Sequence, residues 1–122
     1  MPPLLQVAIG GAAGASLRYL LVEASVRRFG VDFPWGTLAA NILGSFVMGL
    51  LAMTLTPREG FTPFLMTGLL GGFTTYSAFS LETVYLLERG EYGLGLAYVV
   101  LTLAGAIGGC LVGIVLARGI FA

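Results

Sequence analysis

Long stretches without any charged residue limit the folds open to this chain more than any other feature. No Asp, Glu, Lys or Arg occurs in residues 33–57, 60–81 and 92–117. About 20 apolar residues in a helix cross the roughly 30 Å hydrocarbon core of a bilayer, and each stretch is at least that long. A further apolar segment, residues 4–26, contains only Arg18 and Glu23 as charged residues. The sequence therefore predicts four membrane-spanning helices.

The composition also indicates a membrane protein. Of the 122 residues, 57% are of the apolar types AVILMFWYC and only 10% are charged, whereas a soluble domain has about 25% charged residues. Such high hydrophobicity also excludes a disordered chain. The six arginines and six acidic residues balance each other, which argues against a nucleic-acid-binding protein because such proteins are strongly basic.

Residue types needed for common enzyme chemistry are absent or rare. The chain contains no histidine, no lysine and one cysteine, Cys110. It therefore lacks the ligands of a Cys/His zinc site, the imidazole that activates a serine or cysteine nucleophile, and the lysine of a Schiff base or a Walker phosphate site. We expect Cys110 to be a small apolar residue within a helix. These absences argue against an enzyme.

Turn-forming residues separate the predicted spans, at residues 30–34, 57–60 and 88–91. We predict an all-α membrane protein with helices at about residues 4–28, 35–56, 62–88 and 92–118. The short connections leave no room for a second domain, so residues 1–122 are predicted to form a single transmembrane domain. The first segment lacks a basic start and an Ala-x-Ala site, so we expect no removable signal peptide.

The arginines do not fix an orientation in the membrane. With four spans, one side holds Arg58 and Arg118, and the other holds Arg27, Arg28 and Arg89. A bias of three arginines to two is too small to select one topology. The hypothesis is that the chain inserts in both orientations and pairs with an inverted copy as an antiparallel homodimer. A four-helix monomer is also small for enclosing a pore, which favours an oligomer.

Small residues at four-residue spacing occur in the first and fourth spans. They are Gly10 and Gly14 in the first span, and Gly105, Gly109 and Gly113 in the fourth. Residues four apart lie on one face of a helix, and glycines there let helix backbones approach closely. Glycine is also common in membrane helices without such a role. The spacing favours close packing, either within the chain or between chains.

The third span contains a sequence that disfavours a continuous helix. Gly68, Gly71 and Gly72 are followed by Thr74 and Thr75, and neither glycine nor threonine is a good helix former. We predict that this helix is broken near its middle; the alternative is an intact helix with a glycine face for packing. A break at that depth persists only where it is buried in protein or lines a polar cavity. Its free carbonyl groups suit a small cation, and its helix N-terminus suits an anion.

Uncharged polar and aromatic side chains repeat at helical spacing in three spans. They are Thr37, Asn41 and Ser45 in the second span, Tyr76, Ser77, Phe79 and Ser80 in the third, and Tyr98 and Thr102 in the fourth. Aromatic ring edges carry partial positive charge, and hydroxyl and amide groups donate hydrogen bonds, so both meet an anion without a fixed cation. Any one of these groups is more often lipid-facing, in the core or bonded to its own backbone. Three matching stripes together favour a shared ion path.

Two charged residues lie within the predicted spans near these stripes. Arg18 needs a partner or water, because an arginine at the membrane centre costs about 2.5–3.5 kcal/mol. We expect it to reach a water-filled vestibule, and Glu82 to lie at the opposite approach; interfacial anchoring is the alternative for both. No acidic residue falls at the midplane of a span, which argues against a proton-coupled carrier.

Three segments together resemble the Fluc/CrcB family of small fluoride channels. They are GGAAGASLRY at 10–19, WGTLAANILGSF at 35–46 and GGFTTYSAFSLE at 71–82. Their order and spacing in a four-span chain extend the resemblance over nearly the whole sequence. The resemblance implies a dual-topology homodimer in the bacterial inner (plasma) membrane, with two antiparallel pores that passively export fluoride.

The resemblance also implies roles for individual residues. It implies a structural sodium ion at the centre of the dimer, held by the backbone carbonyls of Gly71 and Thr74 from both chains. Together with the polar stripes, it predicts a fluoride pathway through Asn41, Tyr76, Ser77, Phe79, Ser80, Tyr98 and Thr102, with vestibules at Arg18 and Glu82. Tyr76 stands where the family usually has phenylalanine, and we expect fluoride selectivity to persist.

The sequence leaves other functions open. The main alternative is a small dual-topology four-helix exporter of drugs or cations, which needs a carboxylate inside the first span; Glu23 lies too near the end of that span. A non-transporting assembly subunit would need only the glycine faces, and an enzyme is the most distant alternative. Fluoride is small and strongly hydrated, so its path needs many donors in a narrow space and binding weak enough for release. The uncharged stripes meet both requirements.

Overall fold

The chain is mainly helical in the part that a computed structural model describes, residues 1–55 and 59–121. Within these residues the structure contains no strand, so the all-α prediction is confirmed for them. The elements in chain order are α1 (Pro3–Phe29), α2 (Trp35–Ala52), a π-helical segment (Pro63–Leu70), the single turn α3 (Gly71–Phe73), α4 (Tyr76–Glu88) and α5 (Tyr92–Phe121).

Four helical spans can be followed along the chain. The helices α1, α2 and α5 are each long and apolar enough to cross a membrane. The third span consists of the π-helical segment, α3 and α4, which together follow the predicted range 62–88 but are individually too short. Helix α2 ends at Ala52. Its predicted end at residue 56 lies outside the described residues, as do Pro57 and Arg58.

The third span is interrupted at Thr74 and Thr75. Both residues are extended, with φ/ψ of -89°/157° and -152°/123°, so the helix stops at Phe73 and restarts at Tyr76. The Thr75 hydroxyl accepts a hydrogen bond from the amide of Ala78 at 3.2 Å and thereby caps α4. The predicted break near the middle of this span is confirmed. It falls on the two threonines, and the last glycines of the motif lie in the helical turn before it.

The glycines of α1 allow close contact with the first half of the broken span. A Cβ atom added to Gly14 would overlap the carbonyl oxygen of Leu69, and one added to Gly72 would lie 2.6 Å from the carbonyl oxygen of Gly11. Gly10 meets the backbone of the π-helical segment in the same way. The two helices therefore touch backbone to backbone, as the four-residue spacing predicts, and they do so within one chain.

The glycines of α5 have the same role against α2. A Cβ atom added to Gly113 would overlap the carbonyl oxygen of Phe46, and one added to Gly109 would lie 3.3 Å from the carbonyl oxygen of Ile42. Gly105 approaches the side chain of Ile42. The predicted glycine face of the fourth span thus serves packing within the chain.

A small core holds α4 between α2 and α5. Its buried members are Leu38, Phe79, Leu86 and Tyr98, with Phe33, Ile42 and Val99 packed against them. Elsewhere most long apolar side chains are exposed. In α5, only 11% of an 18-residue apolar stretch is buried. An exposed apolar surface of this size suits lipid tails or a second membrane-embedded chain. The core brings three helices together beside the break.

Candidate functional site

The side chain of Asn41 closes the gap in the third span. Its Oδ1 accepts a hydrogen bond from the amide of Thr75 at 2.8 Å, and its Nδ2 donates to the carbonyl oxygen of Thr75 at 3.0 Å. Two backbone groups that lose helical partners at the break are thus satisfied, as an apolar setting requires. The sequence predicts two amide hydrogens of Asn41 for an anion. Among the described residues Nδ2 makes this one hydrogen bond, so its second hydrogen is available for that purpose.

The predicted sodium ligands, Gly71 and Thr74, lie at the start of α3 and directly after its end. The Thr74 amide and hydroxyl both donate to the carbonyl oxygen of Leu70 at 3.0 Å, whereas no described residue donates to the carbonyl oxygen of Thr74. Gly71 is exposed. The described ranges hold no group of three His, Cys, Asp or Glu side chains suited to a metal ion.

Arg18 contacts the same turn from α1. Its Nε donates to the carbonyl oxygen of Gly72 at 3.2 Å, and the side chain is half-buried. Carbonyl groups in the last turn of a helix lack intrahelical partners and carry partial negative charge, so a guanidinium group at this position is favourable. Arg18 thus finds at the break the partner that an arginine within a span needs.

A cavity of about 230 Å³ opens beside the break, and we call it the break cavity. Its polar and aromatic wall is formed by Asn41, Ser45, Thr74, Thr75, Tyr76, Phe79 and Thr102. The hydroxyl of Thr102 is buried and has no hydrogen-bond partner within residues 1–55 and 59–121, whereas threonine in a helix often bonds its own backbone. A buried donor without a partner is costly, so the hydroxyl of this cavity-lining residue has an unused hydrogen bond among the described residues.

The serine hydroxyls of the predicted path are already bonded. Ser80 donates to the carbonyl oxygen of Tyr76 at 3.1 Å within α4, and the Ser77 hydroxyl lies 3.3 Å from that of Thr75. Both serines are exposed, and neither lines the break cavity. The structure therefore leaves the two serines on the outside of the chain.

Aromatic rings lead away from the break cavity. The ring centroids of Tyr76 and Phe79 lie 5.7 Å apart in an edge arrangement, and those of Phe79 and Tyr98 lie 5.2 Å apart. Phe79 and Tyr98 are buried, whereas Tyr76 is 77% exposed. The three-residue spacing thus brings the two α4 rings into contact, and packing between helices adds Tyr98 as a third ring.

The hydroxyl of Tyr98 joins a cluster around Glu82. It donates to Oε1 of Glu82 at 3.2 Å, and the Thr37 hydroxyl donates to Oε2 at 3.1 Å. Thr37 and Glu82 line a second cavity of about 620 Å³, here called the mouth cavity, between the α1–α2 connection and the end of α4. Polar and aromatic side chains are thus in contact from the break cavity, through Phe79 and Tyr98, to the mouth cavity.

Two residues with contacts far along the chain escape prediction from the sequence. Phe33, in the connection before α2, packs edge-on against Tyr98 with ring centroids 5.5 Å apart. Gln6 is 4% exposed; its Nε2 donates to the carbonyl oxygen of Gly60, and its Oε1 accepts from the amide of Phe64. The only amide side chain in the first span is a signal that would identify Gln6. No local pattern pairs Phe33 with a residue so far along the chain.

Comparison with known proteins gives matches over nearly the whole chain. The family model described as CrcB-like protein, Camphor Resistance (CrcB), matches residues 5–114. A Cereibacter sphaeroides protein called fluoride-specific ion channel FluC is 53% identical over 117 residues, which cover 95% of this chain and 94% of that protein. A protein of the same name from Paracoccus denitrificans is 52% identical, over 97% of this chain and 96% of that protein. Another, from Phenylobacterium zucineum, is 48% identical over the full length of both chains. The resemblance predicted from the three motifs is confirmed.

Proposed function

Because the chain belongs to the CrcB-like family, we propose that it is a fluoride-selective channel through which fluoride leaves the cytoplasm passively. The family is one of ion channels, so the protein is a transporter and not an enzyme. Its long apolar helices belong in a membrane, and the membrane proposed is the bacterial inner (plasma) membrane.

The observation that carries this proposal is the break cavity, whose lining residue Thr102 has a buried hydroxyl without a hydrogen-bond partner among the described residues. Asn41 and Phe79 line the same cavity, and the second amide hydrogen of Asn41 makes no hydrogen bond among the described residues. Amide hydrogens and ring edges attract an anion without a formal charge. None of the described residues that line this cavity is charged. Fluoride can exchange its water for such donors and still leave, which is the requirement for conduction.

The proposed path continues from Phe79 and Tyr98 to the mouth cavity. There the hydroxyls of Thr37 and Tyr98 are held by the Glu82 carboxylate. An arriving fluoride would compete with Glu82 for these two donors, because fluoride and the carboxylate are both negatively charged hydrogen-bond acceptors. Repulsion between fluoride and the carboxylate would then keep the ion from binding too tightly at this position.

A second, inverted copy of the chain is proposed to complete the path. Tyr76 is 77% exposed, and Ser77 and Ser80 beside it are exposed as well. Within one chain these three side chains face outward, and much of the apolar surface of α5 is also uncovered. An antiparallel homodimer would cover these surfaces and give two paths of opposite direction.

A sodium ion at the centre of this dimer is part of the proposal. The residues present fit such an ion: the Thr74 carbonyl accepts no hydrogen bond from the described residues, and Gly71 is exposed. Carbonyl oxygens of these two residues from both chains would hold a small, hard cation. When bound, the ion would supply positive charge at the interface. The protein itself holds the break in shape through Asn41.

Fluoride efflux from liposomes that contain the purified protein tests the proposed function. A fluoride electrode records the release, and matched liposomes loaded with chloride serve as the control. We expect rapid fluoride release and no chloride release. Absence of fluoride release together with proton-driven uptake of an organic cation would support the exporter instead, and absence of any flux would support an assembly subunit.

A further inference from the structure

The ring of Phe33 contacts the buried ring of Tyr98 from the α1–α2 connection. The centroids are 5.5 Å apart and the ring planes are at 81°, an edge-to-face contact. Tyr98 also contacts Phe79 at 5.2 Å, so its ring touches two phenylalanine rings. Phe33 lines the mouth cavity of about 620 Å³. Phe33 therefore contacts the buried Tyr98 ring and also lines the mouth cavity.

The connection that carries Phe33 is fastened to the end of α4. Arg89, directly after α4, donates from Nη2 to the carbonyl oxygen of Asp32 at 3.0 Å. The Trp35 amide donates to the carbonyl oxygen of Phe33 at 2.9 Å, and the rings of Trp35 and Phe33 lie 4.7 Å apart. Both the backbone and the ring of Phe33 are therefore held in place.

We propose that Phe33 is a positioning residue of the ion path, whose ring keeps the Tyr98 hydroxyl on Glu82. The Arg89 contact with Asp32 keeps Phe33 in that position. A tyrosine side chain has several staggered rotamers. An edge contact with a second ring favours the rotamer in which the two rings touch, and here that is the rotamer that places the Tyr98 hydroxyl on Glu82. This inference rests on the proposed function, because it assigns Phe33 a part in the same path.

Fluoride efflux from proteoliposomes with Phe33→Leu and Phe33→Tyr tests the inference. Leucine keeps the apolar bulk but removes the ring, and tyrosine keeps the ring. We expect Phe33→Leu to lower the initial efflux rate about two- to tenfold, the range that the energy of one aromatic pair corresponds to, and Phe33→Tyr to retain the wild-type rate. The matched control is Phe29→Leu, since Phe29 is exposed and contacts Trp35. Wild-type efflux from Phe33→Leu would overturn the inference.

A double-mutant cycle with Tyr98→Phe separates positioning from a general loss of packing. The Tyr98 hydroxyl is absent in that background, so Phe33→Leu is expected to cause no further loss of efflux. An equal further loss would mean that Phe33 acts by packing alone, and the inference would be wrong.

The Arg89 contact is tested in the same assay. We expect Arg89→Ala to lower efflux in the same direction as Phe33→Leu, and Arg28→Ala, which removes an exposed arginine near Phe29, to leave it unchanged. Equal efflux from both arginine variants would contradict the role given to Arg89. A wild-type protein without fluoride flux would overturn the proposed function itself, so the two failures are distinguishable.

Discussion

Asn41 and Thr75 are joined by two hydrogen bonds, of 2.8 and 3.0 Å, that link α2 to the gap between α3 and α4. The amide side chain replaces the helical partners that the Thr75 backbone lacks at the break. Asn41 also lines the break cavity. One side chain therefore stabilises the break and faces the proposed path, so the geometry of the path depends on this pair.

Replacing Asn41 with alanine is expected to destabilise the protein and reduce fluoride efflux. It leaves the N–H and the carbonyl of Thr75 without partners, and each buried unpaired group costs about 1–3 kcal/mol. The midpoint of thermal unfolding in detergent measures the loss. Ser45→Ala, a change in the same cavity wall, is the control for stability and should leave the unfolding midpoint nearly unchanged. Equal midpoints for the two variants would contradict the role of Asn41.

The backbone contact between α1 and the broken span should not tolerate a side chain. An alanine at Gly14 would bring its Cβ onto the carbonyl oxygen of Leu69, and overpacking of this kind costs about 1–3 kcal/mol. Gly93→Ala is the matched control, because no atom lies within 4 Å of a Cβ added there. We expect a lower unfolding midpoint only for Gly14→Ala. A midpoint unchanged from wild type would show that the helices can separate at little cost.

Gln6 is expected to fix the start of the π-helical segment. Gln6→Leu would leave the amide of half-buried Phe64 without this partner, at a cost of about 1–3 kcal/mol for a buried group. The change also removes the bond to the carbonyl of Gly60, whose loss costs less because Gly60 is exposed. Ser16→Ala is the control, because the Ser16 hydroxyl is exposed and bonds only within α1. Unfolding midpoints of the two variants give the comparison. A Gln6→Leu protein as stable as Ser16→Ala would contradict the role of Gln6.

The spans follow from the sequence because charges are costly in hydrocarbon, so their positions mark the ends of the helices. The position of the break in the third span follows from the sequence only in part. The glycines predict a weak helix, yet Gly72 lies in a helical turn where the backbone of α1 approaches. The extended residues are Thr74 and Thr75, and the hydroxyl of Thr75 caps α4. Which residues leave the helix depends on this packing, which no local pattern contains.

Contacts within one helix follow from the sequence, whereas contacts between helices do not. The spacing of three residues predicts that Tyr76 and Phe79 meet, and their rings do. The bond from Tyr98 to Glu82 depends on the register between α4 and α5, and the ring contact of Phe33 depends on the path of a connection. Periodicity shows which side chains share a face of a helix. Tertiary packing determines which residues of other helices that face contacts.

Fluoride efflux by Phe79→Ile, measured beside Phe61→Ile, tests most directly the central claim that fluoride passes along the Phe79 ring. Phe79 is 8% exposed and contacts two other rings, whereas Phe61 is 67% exposed in the turn before the broken span. Isoleucine keeps apolar bulk but has no ring edge to meet an anion. We expect Phe79→Ile to lose most of its fluoride efflux and Phe61→Ile to retain it. Efflux by Phe79→Ile equal to that of the wild-type protein would contradict the claim.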